Sequence, residues 1–437
     1  MILDTFRDIF KIPELRKRIL ITLGFLAVYR VGAHVPVPGI DSKALADFFQ
    51  QMRGTLLGMV DLFAGGALSR LSIFALGIMP YITASIILQL LIPVFPYLEK
   101  LTKDEEGRRK IVQYTRIGTV FIALFQSFGI ALWLENPASF QGRVIVPFPG
   151  WSFRLIVMVT VTAGTSFLMW LGEQITEKGI GNGISLIIFS GIVARTAPDS
   201  VRTLNLIMTR QLHVFVFFLL LIFMVFVVAG VVLIIQAQRR IPVQYAKRVI
   251  GRRVYGGQST YLPLRVNQAG VIPIIFASSI LLFPQTISTF LGEKAAAFYN
   301  FTNMFSPRHP IGMSLYAILI IFFTYFYTAI TFNPQEISEN IKKYGGFIPG
   351  IRPGKTTAEY LDRIMTRIAF PGGIFLAVIA VLPYLLFKWT KVPFYFGGTS
   401  LLIVVGVALD TIQQIESHLL MRHYEGFITR GRIKGRY

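Results

Sequence analysis

The stretch LSIFALGIMPYITASIILQLLIPVFPYL, Leu71–Leu98, contains no Asp, Glu, Lys or Arg. A helix needs about 20 apolar residues to cross the hydrocarbon of a bilayer, so this run is long enough to span one. Working outward, Ile117–Leu134, Leu155–Gly172, Gln211–Gln238, Val266–Gly292, Pro310–Gln335, Ile368–Phe387 and Val392–Leu409 are equally free of charge. Two weaker candidates complete the set. Ile19–Tyr29 continues past Arg30, whose long side chain can snorkel to the interface. Gly179–Ala194 is short and opens with Gly179, Gly181 and Gly183. Together they predict ten spans.

Composition agrees. Of 437 residues, 54% are hydrophobic and only 15% charged, with a mean hydropathy of +0.60, whereas a soluble domain carries roughly a quarter charged residues. Disorder, a collagen-like fibre and a small secreted scaffold are excluded. With no cysteine there is no disulfide framework, zinc–thiolate site or iron–sulfur cluster.

The net charge of +21 would point to nucleic acid in a soluble chain. Here it follows the loops. Segments 1–18, 94–116, 172–183, 237–268, 333–367 and 414–437 hold 30 of the 43 basic residues, which marks them as cytoplasmic and puts both termini inside. Arg16, Lys17 and Arg18 before an apolar run imitate a signal peptide. No small-residue cleavage site follows, so a retained first span is expected. Five spans precede residue 205 and five follow it. The expected fold is therefore an all-α integral membrane protein of ten transmembrane helices, in two inverted five-helix halves, 1–205 and 206–437. Segment 237–268 carries seven basic and no acidic residues and is rich in Val, Tyr and Ile. It reads as a projecting hairpin with Gly256–Gly257 as the candidate turn. Segment 333–367, the other large cytoplasmic loop, is punctuated by Pro and Gly at its centre.

Reactive chemistry is nearly absent. The five histidines, His34, His213, His309, His418 and His423, are scattered, and Glu173, Asp410 and Glu416 form no pair at membrane depth. GIRPGKT, Gly350–Thr356, is one residue short of a phosphate loop, with Pro349 where its first glycine would stand. No catalytic residue, metal or cofactor is expected. Ion-coupled transport places ionisable groups mid-span, and these spans have almost none. A secondary transporter for a small solute would also need convergent polar groups at the midplane.

Three features remain. DLFAGGALSRLSIF, Asp61–Phe74, is too polar and glycine-rich to begin a span, yet runs into one. It reads either as a loop and helix start capped by Ser69 or Ser72 or as a short mobile helix that folds into a cavity. Ile78 and Ile82, like Ile184 and Ile188, stand four apart and share a helix face. Taken alone, that spacing is satisfied by core or lipid-facing isoleucine. Finally, GIGNGISLIIFSGIVA and Pro80 break helices in lipid, which is tolerated beside a cavity or a protein seam.

Five strings resemble one family: GGALSRLSIFALGIMPYITASIILQLL, WLGEQITEKGIGNGISLIIFSGIVA, YAKRVIGRRVYGGQSTYLPLRVNQAGVIPIIFASSILLFP, GFIPGIRPGKTTAEYLDRIMTR and KVPFYFGGTSLLIVV. They are similar to bacterial SecY, the channel subunit of the Sec translocon of the inner membrane, in the family's order and over nearly the whole chain. The resemblance implies a central hourglass pore between two halves. It implies a pore ring of six isoleucines at Ile78, Ile82, Ile184, Ile188, Ile275 and Ile403. It also implies a plug formed by Asp61, Leu62, Phe63, Ala64, Gly65, Gly66, Ala67, Leu68 and Ser69. A lateral gate is implied at Thr83, Ser85, Gln89, Gln126, Ser278 and Phe283. Lys247, Arg252, Arg253 and Arg352 would dock the SecA ATPase and the translating ribosome. Further implied partners are small SecE and SecG subunits, signal sequences, unfolded polypeptide and membrane lipid. No catalytic residue and no cofactor are implied.

Overall fold

The computed structural model describes residues 12–51, 61, 64–140, 142–210, 213–245, 248–250, 253–255, 259–291, 301–302, 304–305, 309–390 and 398–430. Local chemistry explains where many helices begin. Proline stands in the first turn of α1 (Pro13–Gly32), α3 (Met79–Leu91) and α4 (Pro96–Lys103), where its missing N–H costs nothing. Between them lies α2 (Ser42–Gln51). After α4 come the long helices α5 (Glu105–Glu135) and α6 (Trp151–Lys178). Asn182 then caps α7 (Gly183–Met208), its side chain accepting from the amides of Ile184 and Ser185.

The chain divides into two compact units. The first comprises Met1–Gln211, Ser279–Asn303 and Val407–Tyr437. In it α5 packs along α6 and against α3. Phe48 of α2 lies edge-on to Trp133 and Phe140, with ring centroids 6.2 and 4.7 Å away, an aromatic knot that fastens α2 to the end of α5. The Glu135 carboxylate accepts from Gly150 N at 2.9 Å and from Arg154 at 2.6 and 2.8 Å, tying the end of α5 to the start of α6.

The second unit comprises Leu212–Ser278 and Met304–Gly406. Here α8 (Val214–Gln236) carries no charged residue and leaves Phe215 and Phe226 more than 70% exposed, the surface of a helix meant for lipid. It leads into β1 (Gln238–Tyr245), β2 (Arg248–Ile250), β3 (Arg253–Tyr255) and β4 (Ser259–Arg265). β1 pairs antiparallel with β4, Ile241 opposite Leu262. After α9 (Ile272–Leu291), which enters the first unit at Ser279, the second unit continues through α10 (Pro310–Thr331) and α11 (Pro334–Lys343). Next come β5 (Gly346–Phe347) and α12 (Lys355–Thr390), and α13 (Gly398–Arg430) follows. β5 adds to the other side of β1, giving the order β4-β1-β5. Ile241, Val243 and Leu264 bury one face of this sheet against Ile341, Leu361 and Met365. Segments 237–268 and 333–367 therefore share one small core.

Among the described residues, six helical stretches are long and apolar enough to cross a membrane: α5, α6, α8, α10 with α11, α12 and α13. Counting α3 and α4 as one broken span makes seven. The chain is thus a mostly helical multi-pass membrane protein. Several expectations need correcting. Leu71–Leu98 is not one continuous helix. Leu71 (φ 39°) and Gly77 (φ 57°) hold the chain in turns until Met79, and α3 and α4 are bent by 107° across the proline-flanked break at 92–95. Neither Ser69 nor Ser72 caps α3, whose N-cap is Ile78 without a side-chain bond. Ser69 N donates instead to Asp61, and Phe74 N to Ser72 Oγ. The Gly256–Gly257 turn lies outside the described residues. The β2–β3 register, Ile250 opposite Arg253, closes that hairpin earlier.

Candidate functional site

Ala64–Ser69 forms a succession of turns, not a helix, and its backbone is held from three directions. Two of the holds come from α1. The hydroxyl of the buried Tyr29 donates to Ala64 O at 3.2 Å, and the Arg30 guanidinium donates to Gly65 O at 3.1 Å. Arg30 thus finds in the Gly65 carbonyl a partner that lipid cannot offer. From α7, Gly191 approaches so closely that a Cβ built on Gly65 would lie 2.9 Å from its Cα. Gly65 sits at φ 66°, a conformation only glycine adopts freely. Within the segment, Asp61 Oδ1 accepts from Ser69 N at 2.8 Å, and Ser69 Oγ donates to Gly66 O at 3.0 Å. Asp61 Oδ2 accepts from Arg195 Nη1 of α7 at 2.9 Å, with the two side chains only 4% and 15% exposed. Leu62 and Phe63 lie outside the described residues.

The chain leaving this segment is clamped as well. Val37 N donates to Leu71 O at 2.8 Å and Ile73 N to Val35 O at 3.0 Å, around a bridge between Pro36 and Ser72. Phe74 then stacks between Tyr29 and Phe167, at 6.1 and 6.0 Å.

The six isoleucines occupy four elements. Ile78 is the N-cap of α3 and Ile82 lies one turn on, its amide donating to Ile78 O at 3.2 Å. Ile184 and Ile188 lie on the first turns of α7, Ile275 on α9 and Ile403 on α13. All are buried except Ile184, which is half-buried. Along α7, Ile184, Ile188, Gly191 and Arg195 fall at i, i+4, i+7 and i+11 and so share one face. The helix that carries two of the isoleucines therefore also touches the Ala64–Ser69 turns, one helical turn beyond them. Its start is braced by Gly181 N, which donates to Gln414 Oε1 at 2.9 Å, and by Ile180 N, which donates to Thr22 Oγ1 at 3.0 Å.

Among the gate candidates, Thr83, Ser85 and Gln89 follow one another on α3. Thr83 Oγ1 bonds back to Met79 O, and Gln89 Nε2 donates to Ser85 Oγ at 3.2 Å. Gln126 is buried on α5; Ser278 is buried and Phe283 half-buried on α9. The buried Oε1 of Gln89 has no hydrogen-bond partner among the described residues. Of the docking candidates, Lys247 and Arg252 lie outside the described residues and Arg253 begins β3. Arg352 is exposed in the turn before α12, where its carbonyl accepts from Thr357 Oγ1 at 2.8 Å. Sequence reasoning missed Tyr29, Arg30 and Arg195. The only available signal was a charge or phenol at the edge of an apolar run.

A profile of the SecY family matches residues 72–412. Protein translocase subunit SecY of Escherichia coli K12 is 51% identical over 427 residues, covering 97% of this chain and 96% of that protein. Its namesake in Thermus thermophilus is 48% identical over 440 residues, 99% of each. A solved structure described as a protein conducting channel superposes with a TM-score of 0.65 at 18% identity, covering 94% of this chain and 96% of that one. Sec61 in the canine ribosome–channel complex of the endoplasmic reticulum gives 0.63 at 16% identity over 94% and 96%. The class is thus that of multi-pass membrane proteins with the protein-conducting channel fold. Within that class, the chain belongs to the SecY family of protein translocase subunits.

Proposed function

We propose that this chain is the protein-conducting channel of a bacterial inner membrane, moving unfolded preproteins outward and releasing hydrophobic segments sideways into lipid. It does so without a catalytic group of its own. The observation that carries the reading is the shared face of α7, where Ile184 and Ile188 are followed by the Gly191 and Arg195 contacts to the Asp61–Ser69 segment. One helix face bearing apolar constriction residues and then a docked plug is what a resting channel needs. Adding α1, Gly183–Thr196 and Ile272–Pro284 to the seven candidate spans brings the total to ten. These divide into two halves, 1–205 and 206–437, around an hourglass pore with both termini in the cytoplasm.

The physics follows from the ring. Branched aliphatic side chains at a narrow constriction hold no stable file of water, so ions and protons meet a dewetted gate. They offer no fixed hydrogen bond, so the gate yields to any passing side chain and grips none. The plug, Asp61–Ser69, backs up this seal at rest. The polar residues Thr83, Ser85, Gln89, Gln126 and Ser278, with Phe283, form the seam of the lateral gate. Unmet hydrogen-bond capacity such as that of Gln89 Oε1 weakens a seam. A signal segment gains roughly 0.3 to 0.6 kcal/mol for each Leu, Ile, Phe or Val moved to the bilayer centre, and so competes for the seam when it is apolar enough.

Energy comes from outside the chain, through the SecA ATPase or chain elongation on the ribosome. Lys247, Arg252, Arg253 and Arg352 dock both; clustered Arg and Lys suit the phosphates of ribosomal RNA. SecE-like and SecG-like small subunits complete the complex. Reconstituting the purified complex in liposomes with SecA, ATP and a preprotein tests the proposal. Protease-protected preprotein that depends on ATP and on an intact signal sequence is expected. Absence of protection while small solutes are taken up would make the chain a transporter instead.

A further inference from the structure

The ion pair between Asp61 and Arg195 has a second meaning if Asp61–Ser69 is the plug, the reading on which this inference rests. We infer that Arg195 is the positioning residue of the plug, a latch whose ion pair sets how readily the resting channel opens.

Four observations carry it. The pair is nearly dry, with side chains 4% and 15% exposed. Its geometry is specific: one Asp61 oxygen takes Arg195 Nη1 at 2.9 Å and the other takes the amide of Ser69 at 2.8 Å, so both oxygens are engaged and the two ends of the segment close on one carboxylate. The other side-chain holds on the segment, Tyr29 to Ala64 O and Arg30 to Gly65 O, reach only its backbone. Arg195 is thus the one described side chain outside the segment that bonds a side chain within it. Finally, Arg195 stands four residues from Gly191 and seven from Ile188 on one face. A chain that pushes α7 aside at its isoleucines moves the latch with them.

The physics makes such a latch sensitive to hydration. In a dry site the attraction between unit charges is strong, and removing either partner strands a buried charge. When water reaches both groups, each is solvated and the attraction falls toward its value in water. The plug is then held firmly while the site is closed and released at little cost once it is wet. No co-reactant or covalent step is involved.

Planar-bilayer recordings of the full-length chain, purified with its native small subunits, test the latch. Asp61→Asn is isosteric and Arg195→Gln keeps a polar amide on a shorter stem, and each removes one charge. Each is expected to raise resting ion conductance about tenfold, and the double variant no more than either alone, because both act through one interaction. Arg195→Lys, which keeps a cation at the same place, is expected to restore low conductance. Wild-type conductance in either single variant, additive effects in the double, or an Arg195→Lys channel as leaky as Arg195→Gln would overturn the latch. Deleting residues 61–69 separates this from the underlying reading. A channel that stays tight after the deletion refutes the plug itself. A deletion that leaks while Arg195→Gln does not refutes only the latch.

Discussion

Tyr245 and Gly346 are antiparallel strand partners, with Gln244 opposite Phe347 beside them. The pairing joins two excursions that are far apart in sequence. A Cβ on Gly346 would lie 2.9 Å from the Tyr245 ring and 3.1 and 3.2 Å from Ile341 and Val243, so a larger side chain there must push these three aside. Gly346→Val should pry β5 from β1 at a cost of about 1–3 kcal/mol. Amide exchange at Gln244 and Tyr245 is expected to quicken, and ribosome affinity of the full-length channel to fall even though no basic residue has changed. Unaltered exchange and affinity would mean that the two excursions dock independently.

Gly164 of α6 faces the carbonyl of Ile73 so closely that an added methyl would collide with backbone, whereas Gly24 of α1 has nothing within 4 Å. Gly164→Ala is expected to lower the unfolding temperature in detergent by several degrees. Gly24→Ala should hold or raise it, since alanine gains about 0.8–1 kcal/mol over glycine in a helix. Equal behaviour of the two would show that the Ile73–Phe74 turn is not packed against α6 as described.

Ile403 is fully buried on α13. If it belongs to the apolar gate, replacing it with a polar residue such as Ser should let water file through. Ion leak should rise, and preproteins with weakened signal sequences should be exported more readily. Measured together in proteoliposomes, no change in leak and none in export would remove Ile403 from the ring.

Much of the fold was legible as uninterrupted apolar length. The charge-free runs behind α5, α6, α8, α10 and α12 each became a helix because nothing inside them competes with one. Leu71–Leu98 failed that reading for a local reason: Gly77 and the unusual φ of Leu71 turn the backbone, and Pro80 sets where the helix begins. The pairing of β5 with β1 was invisible, since a two-residue strand has no period to detect. The Asp61–Arg195 pair was equally hidden, because an ion pair between distant residues becomes evident only when the chain brings them together. The isoleucine spacing was readable but ambiguous. Four-residue intervals fit a core, a lipid face or a pore alike, and only the family resemblance favoured the last.

Under the proposed function, a passing polypeptide threads the isoleucine ring. The chain has no cysteine, so single cysteines introduced at Ile78, Ile82, Ile184, Ile188, Ile275 and Ile403 give uncomplicated crosslinking to a preprotein arrested in transit. Phe121 and Phe226, both at least 70% exposed on apolar helices, serve as controls. Crosslinks are expected at the six ring positions, dependent on the arrested chain, and none at the two phenylalanines. Crosslinks at the phenylalanines with none at the ring would contradict this threading.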